Sequence, residues 1–324
     1  MIPLTAVDVR DAESLVVEVL RSGSLARGPM VARFEEGFAR AAGAVHAVAV
    51  NSGTAALVTA LRAHGLAAGD EVITSPLADA ATLAAVREAG ADVRFADITP
   101  DYALDPEAVA AAITAGTRAV LPVRPFGRPT DLGQLAALAA EHGLPVVEDA
   151  GPAFGAAGDG TNCFSLSPGA IVTTGQGGVL TTNDGELAAR LRAARDRGVA
   201  MSELHAAVGI PQLSRVDEAI AARRTNARAL ALGLTGTPGL AVPDGHEWHT
   251  FPVLVGPHAM LAREELVAEL AGRGVETGVP DRAPEEFRVA ALVSGQALSL
   301  PSHQALSESD VDRVVREVRD ALGA

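Results

Sequence analysis

The 324-residue chain carries 26 basic and 40 acidic side chains, a formal charge of −14 at pH 7. That balance repels nucleic-acid phosphates and anionic membranes, and an aromatic share of 3% leaves no stacking platform for bases. What remains as a partner is a small-molecule substrate or another protein.

In chain order, apolar β-rich runs alternate with amphipathic stretches. Strands are predicted at His46–Val50, Glu71–Thr74, Val93–Phe95, Ala119–Val123 and Pro145–Glu148, and helices at Ala55–His64, Ala80–Glu88, Pro106–Ile113 and Leu132–His142. Continuous apolar strands separated by helices of this length imply an α/β fold, its mostly parallel sheet covered on both faces. Ile171–Thr174 and Val179–Thr182 flank Gly175–Gly178, the pattern of a glycine-rich hairpin. Residues 184–197 read as a helix with an acidic start and a basic end, as the helix dipole favours.

After Met201 the character changes. Helical stretches at Met201–Gly209 and Leu213–Leu232 lead through a Gly/Pro-rich segment into a strand at Thr250–Val255. A helix at Arg263–Ala271, a strand at Val275–Thr277 and a last helix capped by Ser307 and Asp310 follow. The expected organisation is a large domain over 1–200, then connecting helices and a small α/β domain over 201–324. The lone Cys163 excludes an intramolecular disulfide and suits a cytoplasmic protein. No signal peptide is expected, and no window approaches the roughly 18 uninterrupted apolar residues of a membrane span.

The motifs come in a telling order. Asn51–Leu57 follows a strand and opens a helix. Gly69–Ile73, Leu121–Gly127 and Val146–Ala150 succeed it, then Cys163–Ser165, Gly175–Gly178, Met201–Ala207 and Leu298–Pro301. Together they resemble the DegT/DnrJ/StrS sugar aminotransferase family over essentially the whole chain. The resemblance implies a fold type I aminotransferase-like architecture and a homodimer with active sites at the subunit interface. It also implies a pyridoxal phosphate pocket, with Gly53, Thr54 and Ala55 at the phosphate, Ser165 as its second contact and Asp149 at the pyridine nitrogen. Without the resemblance, the Ser-Gly-Thr turn reads as an ordinary strand-to-helix connection and Asp149 as a cap.

The departures are as specific. All 26 basic residues are arginine, so the chain holds no lysine, and the Schiff-base position, five residues past Ser165, is Ala170. The family's aromatic ring over the cofactor falls on Asp79, and its Gln or His three residues past Asp149 on Pro152. Its partner-supplied Asn has no counterpart in residues 197–200, and the hairpin before Cys163 is cut to a turn at Gly158–Gly160.

From these losses follows the expectation of a repurposed enzyme that works without pyridoxal phosphate and is no functional transaminase. It would dehydrate, isomerise or cyclise a small biosynthetic metabolite in a cavity walled by Ala, Val and Leu. Asp79 and Asp149 would be its catalytic acid–base pair, Arg124, Ser167 and Gln176 its substrate contacts. An exposed loop position for Asp79, and a surface ion pair for Arg124, are the plainer readings. Two alternatives stand beside it: an inactive partner subunit of an active aminotransferase, and a protein that holds pyridoxal or pyridoxamine phosphate non-covalently. His246 and His249 around Trp248 lack a third ligand for a metal, so no metal is expected.

Overall fold

The computed structural model describes residues 1–26, 28–128, 131–151, 153–154, 160–244 and 249–324. It divides into two compact units: Val7–Pro125 with Pro129–Val216, and Met1–Ala6 with Phe126–Arg128 and Asp217–Ala324.

The larger unit opens with α1 (Glu13–Ser22) and α2 (Pro29–Ala42), which the sequence reading passes over. Proline at the first helical position brings no N–H that needs a partner. The next two donors, of Met30 and Val31, reach the buried Glu203 carboxylate at 2.8 and 3.1 Å. The apolar face of α2, with Met30, Phe34 and Phe38 four residues apart, is fully buried.

There follow β1 (His46–Val50), α3 (Gly53–Ala63), β2 (Glu71–Thr74), α4 (Ala80–Ala89), β3 (Asp92–Phe95) and α5 (Pro106–Ala112). Next are β4 (Thr117–Leu121), α6 (Gly133–Glu141), β5 (Val147–Gly151), β6 (Thr161–Ser165), β7 (Gly178–Thr182), α7 (Gly185–Arg195) and α8 (Glu203–Leu213). Strands run in the order β3-β2-β4 and β5-β6-β7-β1, and parallel bridges Val120–Val146 and Val123–Asp149 join the two sets. Pairing is parallel except at β7, which is antiparallel to both β6 and β1. Alternation along the strands feeds a core on each face. Val72, Ala119 and Leu121 pack with α3 and α4 residues, whereas Ile73 and Val120 pack with Val109 of α5 and Leu135 of α6.

The predicted hairpin at 171–182 is corrected: residues 171–174 form no strand, and β7 pairs with β6 instead. The intervening chain folds back on itself. Leu166 donates to Gly177 O at 3.0 Å, Thr174 donates to Leu166 O at 3.1 Å, and Gln212 clamps both backbone groups of Thr173.

The smaller unit contains α9 (Val216–Leu234), β8 (Leu240–Ala241), β9 (Phe251–Val255), α10 (Arg263–Gly272), α11 (Arg288–Gln296), β10 (Ala297–Leu300) and α12 (Glu308–Ala321). Strands β10, β9 and β8 form an antiparallel sheet. The strand predicted at Val275–Thr277 reduces to a single bridge between Val275 and Ile2. Ser307 and Asp310 form the predicted capping box on α12. The sequence reading ends the large domain at residue 200; α8 lies within the larger unit, which runs on to Val216. Among the described residues no helix is long and apolar enough to cross a membrane.

Candidate cofactor and substrate site

The sharp turn from β1 into α3 depends on small residues. A Cβ on Gly53 would stand 2.9 Å from Ser165 Cβ, and one on Gly178 would stand 2.3 Å from Ser52 O. Both glycines therefore let β6 and β7 close against the helix start. Ser52 caps the helix, its Oγ accepting from Ala55 N at 3.0 Å and its carbonyl from Ala56 N. The amides of Gly53 and Thr54 precede the first intrahelical bonds, so they are left to meet an anion beside the Ser165 hydroxyl.

Asp149 enters the same space from the middle of β5. Its backbone is fixed on both sides, N to Pro122 O at 2.9 Å and O from Arg124 N at 3.1 Å. One carboxylate oxygen accepts from Gly151 N at 2.9 Å, and the other meets the Thr82 hydroxyl. Burial pushes the Asp149 carboxyl up to about 6, helped by the negative charges of Asp79 and Glu148 and opposed by the bonds from Thr82 and Gly151.

These groups line one cavity of about 380 Å³, together with Leu57, Cys163, Phe164, Ser167, Gln176 and Gly177. The predicted contacts Gly53, Thr54, Ser165, Ser167, Gln176, Asp79 and Asp149 all reach it. The walls, however, are rich in hydroxyls, not the Ala, Val and Leu that were expected. Ala55 is displaced from its assigned role: Ser52 occupies its N–H, and its side chain lines a separate cavity between α3 and α7 with Arg62, Arg190 and Arg197.

Three further expectations change. Arg124 is buried in a two-point ion pair with Glu148, at 2.8 and 2.7 Å, so its guanidinium is committed within the sheet and does not line the cavity. Asp79 is exposed and caps α4, accepting from Thr82 N at 2.7 Å and Thr82 Oγ1 at 2.9 Å. Asp79 and Asp149 both line the cavity and meet the same Thr82 hydroxyl, but in a wall rich in hydroxyls and with Asp79 exposed. Ala170 is buried outside the cavity lining, its N–H closing a turn onto Ser167 O at 3.0 Å.

Thr82 was missed by sequence reasoning. Its signal was present, because an Asp three residues before a helical Thr is the N-cap spacing. Pro152, residues 155–159, His246 and Trp248 lie outside the described residues. His249 is buried in the smaller unit, its imidazole pushed down to about 3 by desolvation and by Arg223. Among the described residues no cluster of three potential metal ligands occurs.

The geometry fits a pyridoxal-type cofactor in two of its three requirements. Free amides at a helix start with a facing hydroxyl suit its phosphate, and a half-buried carboxylate suits a ring nitrogen. The third, an amine for covalent attachment, has no side chain to supply it in this sequence.

Comparison with known proteins agrees. The pattern of the DegT/DnrJ/EryC1/StrS aminotransferase family matches residues 8–319. The chain is 36% identical to the spore coat polysaccharide biosynthesis protein SpsC of Bacillus subtilis, over 95% of this chain and 93% of that protein. It is 35% identical to dTDP-3-amino-3,4,6-trideoxy-alpha-D-glucose transaminase of Streptomyces venezuelae, over 96% and 92%. It is 32% identical to GDP-perosamine synthase of Caulobacter vibrioides, over 91% of each. Among solved structures, S. venezuelae DesV in complex with a ketimine intermediate superposes with a TM-score of 0.91 at 32% identity, covering all of both chains. The aminotransferase TlmJ of Streptoalloteichus hindustanus gives 0.91 at 29% identity, over 100% of this chain and 99% of that one.

The expected fold type I aminotransferase-like architecture is thus present. The expected function is corrected: relatives of this similarity are named as transaminases and synthases of amino sugars, against a cofactor-free acid–base enzyme that is no functional transaminase. The same family membership overturns the expectation of no cofactor and points to pyridoxal phosphate. Over nearly its full length, the chain belongs to the DegT/DnrJ/EryC1/StrS aminotransferase family.

Proposed function

We propose that this chain binds pyridoxamine or pyridoxal phosphate non-covalently and serves amino transfer to a nucleotide-linked sugar. One observation carries the reading: a single cavity holds both the open N-terminus of α3 beside Ser165 and the half-buried Asp149 carboxylate. Bound there, the cofactor supplies an electron sink and the amine to be transferred. The chain's own residues do the holding. Gly53, Thr54 and Ser165 bind the phosphate, and Asp149 keeps a proton at the ring nitrogen. Ser167 and Gln176, at the cavity wall, contact the sugar. The relatives' names, which include dTDP- and GDP-linked sugars, support the substrate class. A cytoplasmic homodimer belongs to the same proposal, since the family's site is completed by a second copy.

Titration of the purified protein with pyridoxamine phosphate tests the reading. Saturable binding is expected, with a shift in cofactor absorbance. Mixing the loaded protein with a dTDP- or GDP-linked keto sugar should convert about one cofactor per chain to the aldehyde form. Borohydride reduction of the pyridoxal phosphate complex should leave no pyridoxyl group on the denatured chain's side chains. A folded protein that ignores millimolar cofactor, or one that binds it without transfer to either sugar class, overturns the proposal.

A further inference from the structure

The residue that stands where the family places a ring has acquired a link to the one residue that must face the cofactor's ring nitrogen. Thr82 Oγ1 lies 2.9 Å from Asp79 Oδ1 and also contacts Asp149 Oδ2. A hydroxyl has one proton and two lone pairs. It donates to one carboxylate and must accept from the other, or leave two acceptors facing each other. Asp79 Oδ1 already accepts from Thr82 N at 2.7 Å, as a cap does, and it is exposed to solvent. Asp149 Oδ2 faces the hydroxyl from within the cavity wall. The arrangement that satisfies every atom is a directed chain: Asp149 as donor to Thr82, and Thr82 as donor to Asp79.

We propose that Thr82 and Asp79 are positioning residues for Asp149, the Thr82 hydroxyl fixing where the proton of the carboxylate pair resides and passing it between the cavity and solvent. As Thr82 Oγ1 takes a proton from Asp149 Oδ2, it gives its own to Asp79 Oδ1, which releases it to water; the reverse sequence reloads Asp149. The charges around Asp149 agree with a held proton. Glu148 neighbours it on β5, tied to Arg124, and Asp79 adds negative charge from the start of α4. Cys163, opposite on β6, is kept un-ionised mainly by burial and adds no negative charge. This relay rests on the reading of Asp149 as the cofactor's nitrogen partner, but its geometry exists without cofactor.

The test is a carbon-13 carboxyl titration of the ligand-free protein, with the Asp149 signal assigned by its loss in Asp149→Asn. Wild type should titrate near 6. Asp79→Asn keeps a competent cap and removes the like charge, so the midpoint should fall by about half a pH unit or more. Thr82→Val removes the acceptor of the Asp149 proton and should lower it, whereas Thr82→Ser should restore the wild-type value. A Thr82 hydroxyl that only donates to Asp149 would shift the Thr82→Val midpoint in the opposite direction, upward. The relay is overturned if Asp79→Asn leaves the midpoint at the wild-type value, or if Thr82→Val raises it. It is equally overturned if wild-type Asp149 titrates as an ordinary carboxylate. A separate pyridoxamine phosphate titration tells the two ideas apart. Shifted midpoints without cofactor binding sink the cofactor reading alone, and binding with unmoved midpoints sinks the relay alone.

Discussion

Arg124 and Glu148 meet as a two-point ion pair, each side chain 3% exposed. Such a pair is weak evidence for net stability, because desolvation offsets much of the attraction. Removing one partner is another matter, since a lone charge is then left in the sheet. Arg124→Ala or Glu148→Ala should each destabilise the protein by about 3–5 kcal/mol. Loss of both should cost less than the sum, as a double-mutant cycle in chemical denaturation will read.

His249 makes the smaller unit sensitive to acid. Its imidazole has an ordinary value of 6.5 and is pushed down to about 3 in the folded chain. A depressed folded value means the unfolded chain takes the proton first as pH falls. The contribution to stability is therefore complete above 6.5 and declines progressively below it, towards 3. Wild type should lose melting temperature relative to His249→Phe between pH 7 and pH 4.5. A constant difference between the two proteins across that range would contradict the assignment.

The parallel strands and covering helices of the larger unit were legible because continuous apolar runs and helical stretches alternate cleanly. Helix α2 was not, because its first donors are satisfied by Glu203, distant in sequence. The false strand at 171–174 is apolar and β-branched, but its backbone bonds go to Leu166 and Gln212 instead of a neighbouring strand. At the site, Gly53, Asp149 and Ser165 followed from motif order. Arg124 was misjudged because a charged residue after a strand reads the same whether it faces a cavity or a buried carboxylate. The cofactor inference failed for a related reason: losing the anchoring amine says nothing about the phosphate turn, which is built from backbone.

Glu203 offers a way to loosen α2 without touching the cavity. Its carboxylate holds Met30 N–H and Val31 N–H in a buried position. Each donor left without an acceptor costs roughly 1–3 kcal/mol. Glu203→Ala should therefore unfold at markedly lower denaturant, with amide exchange rising first at residues 30 and 31. Glu203→Gln keeps one accepting oxygen and should fall between the two. Equal exchange at those amides in wild type and Glu203→Ala would refute the capping role.

Gly53 provides the most direct check on the phosphate end. An added methyl would sit 2.9 Å from Ser165 Cβ and 3.1 Å from its Oγ, closer than carbon and oxygen tolerate. Either Ser165 or the first turn of α3 must shift, and both are needed to face the same anion. Helix propensity works the other way, because alanine is the better helix former. Gly53→Ala should thus change the melting temperature little while weakening pyridoxamine phosphate at least about tenfold, the equivalent of 1.4 kcal/mol. Pyridoxamine without its phosphate should bind wild type and variant alike, since Asp149 and the ring end are untouched. If the variant instead binds the phosphorylated cofactor as tightly as wild type, the anion does not sit between Gly53 and Ser165.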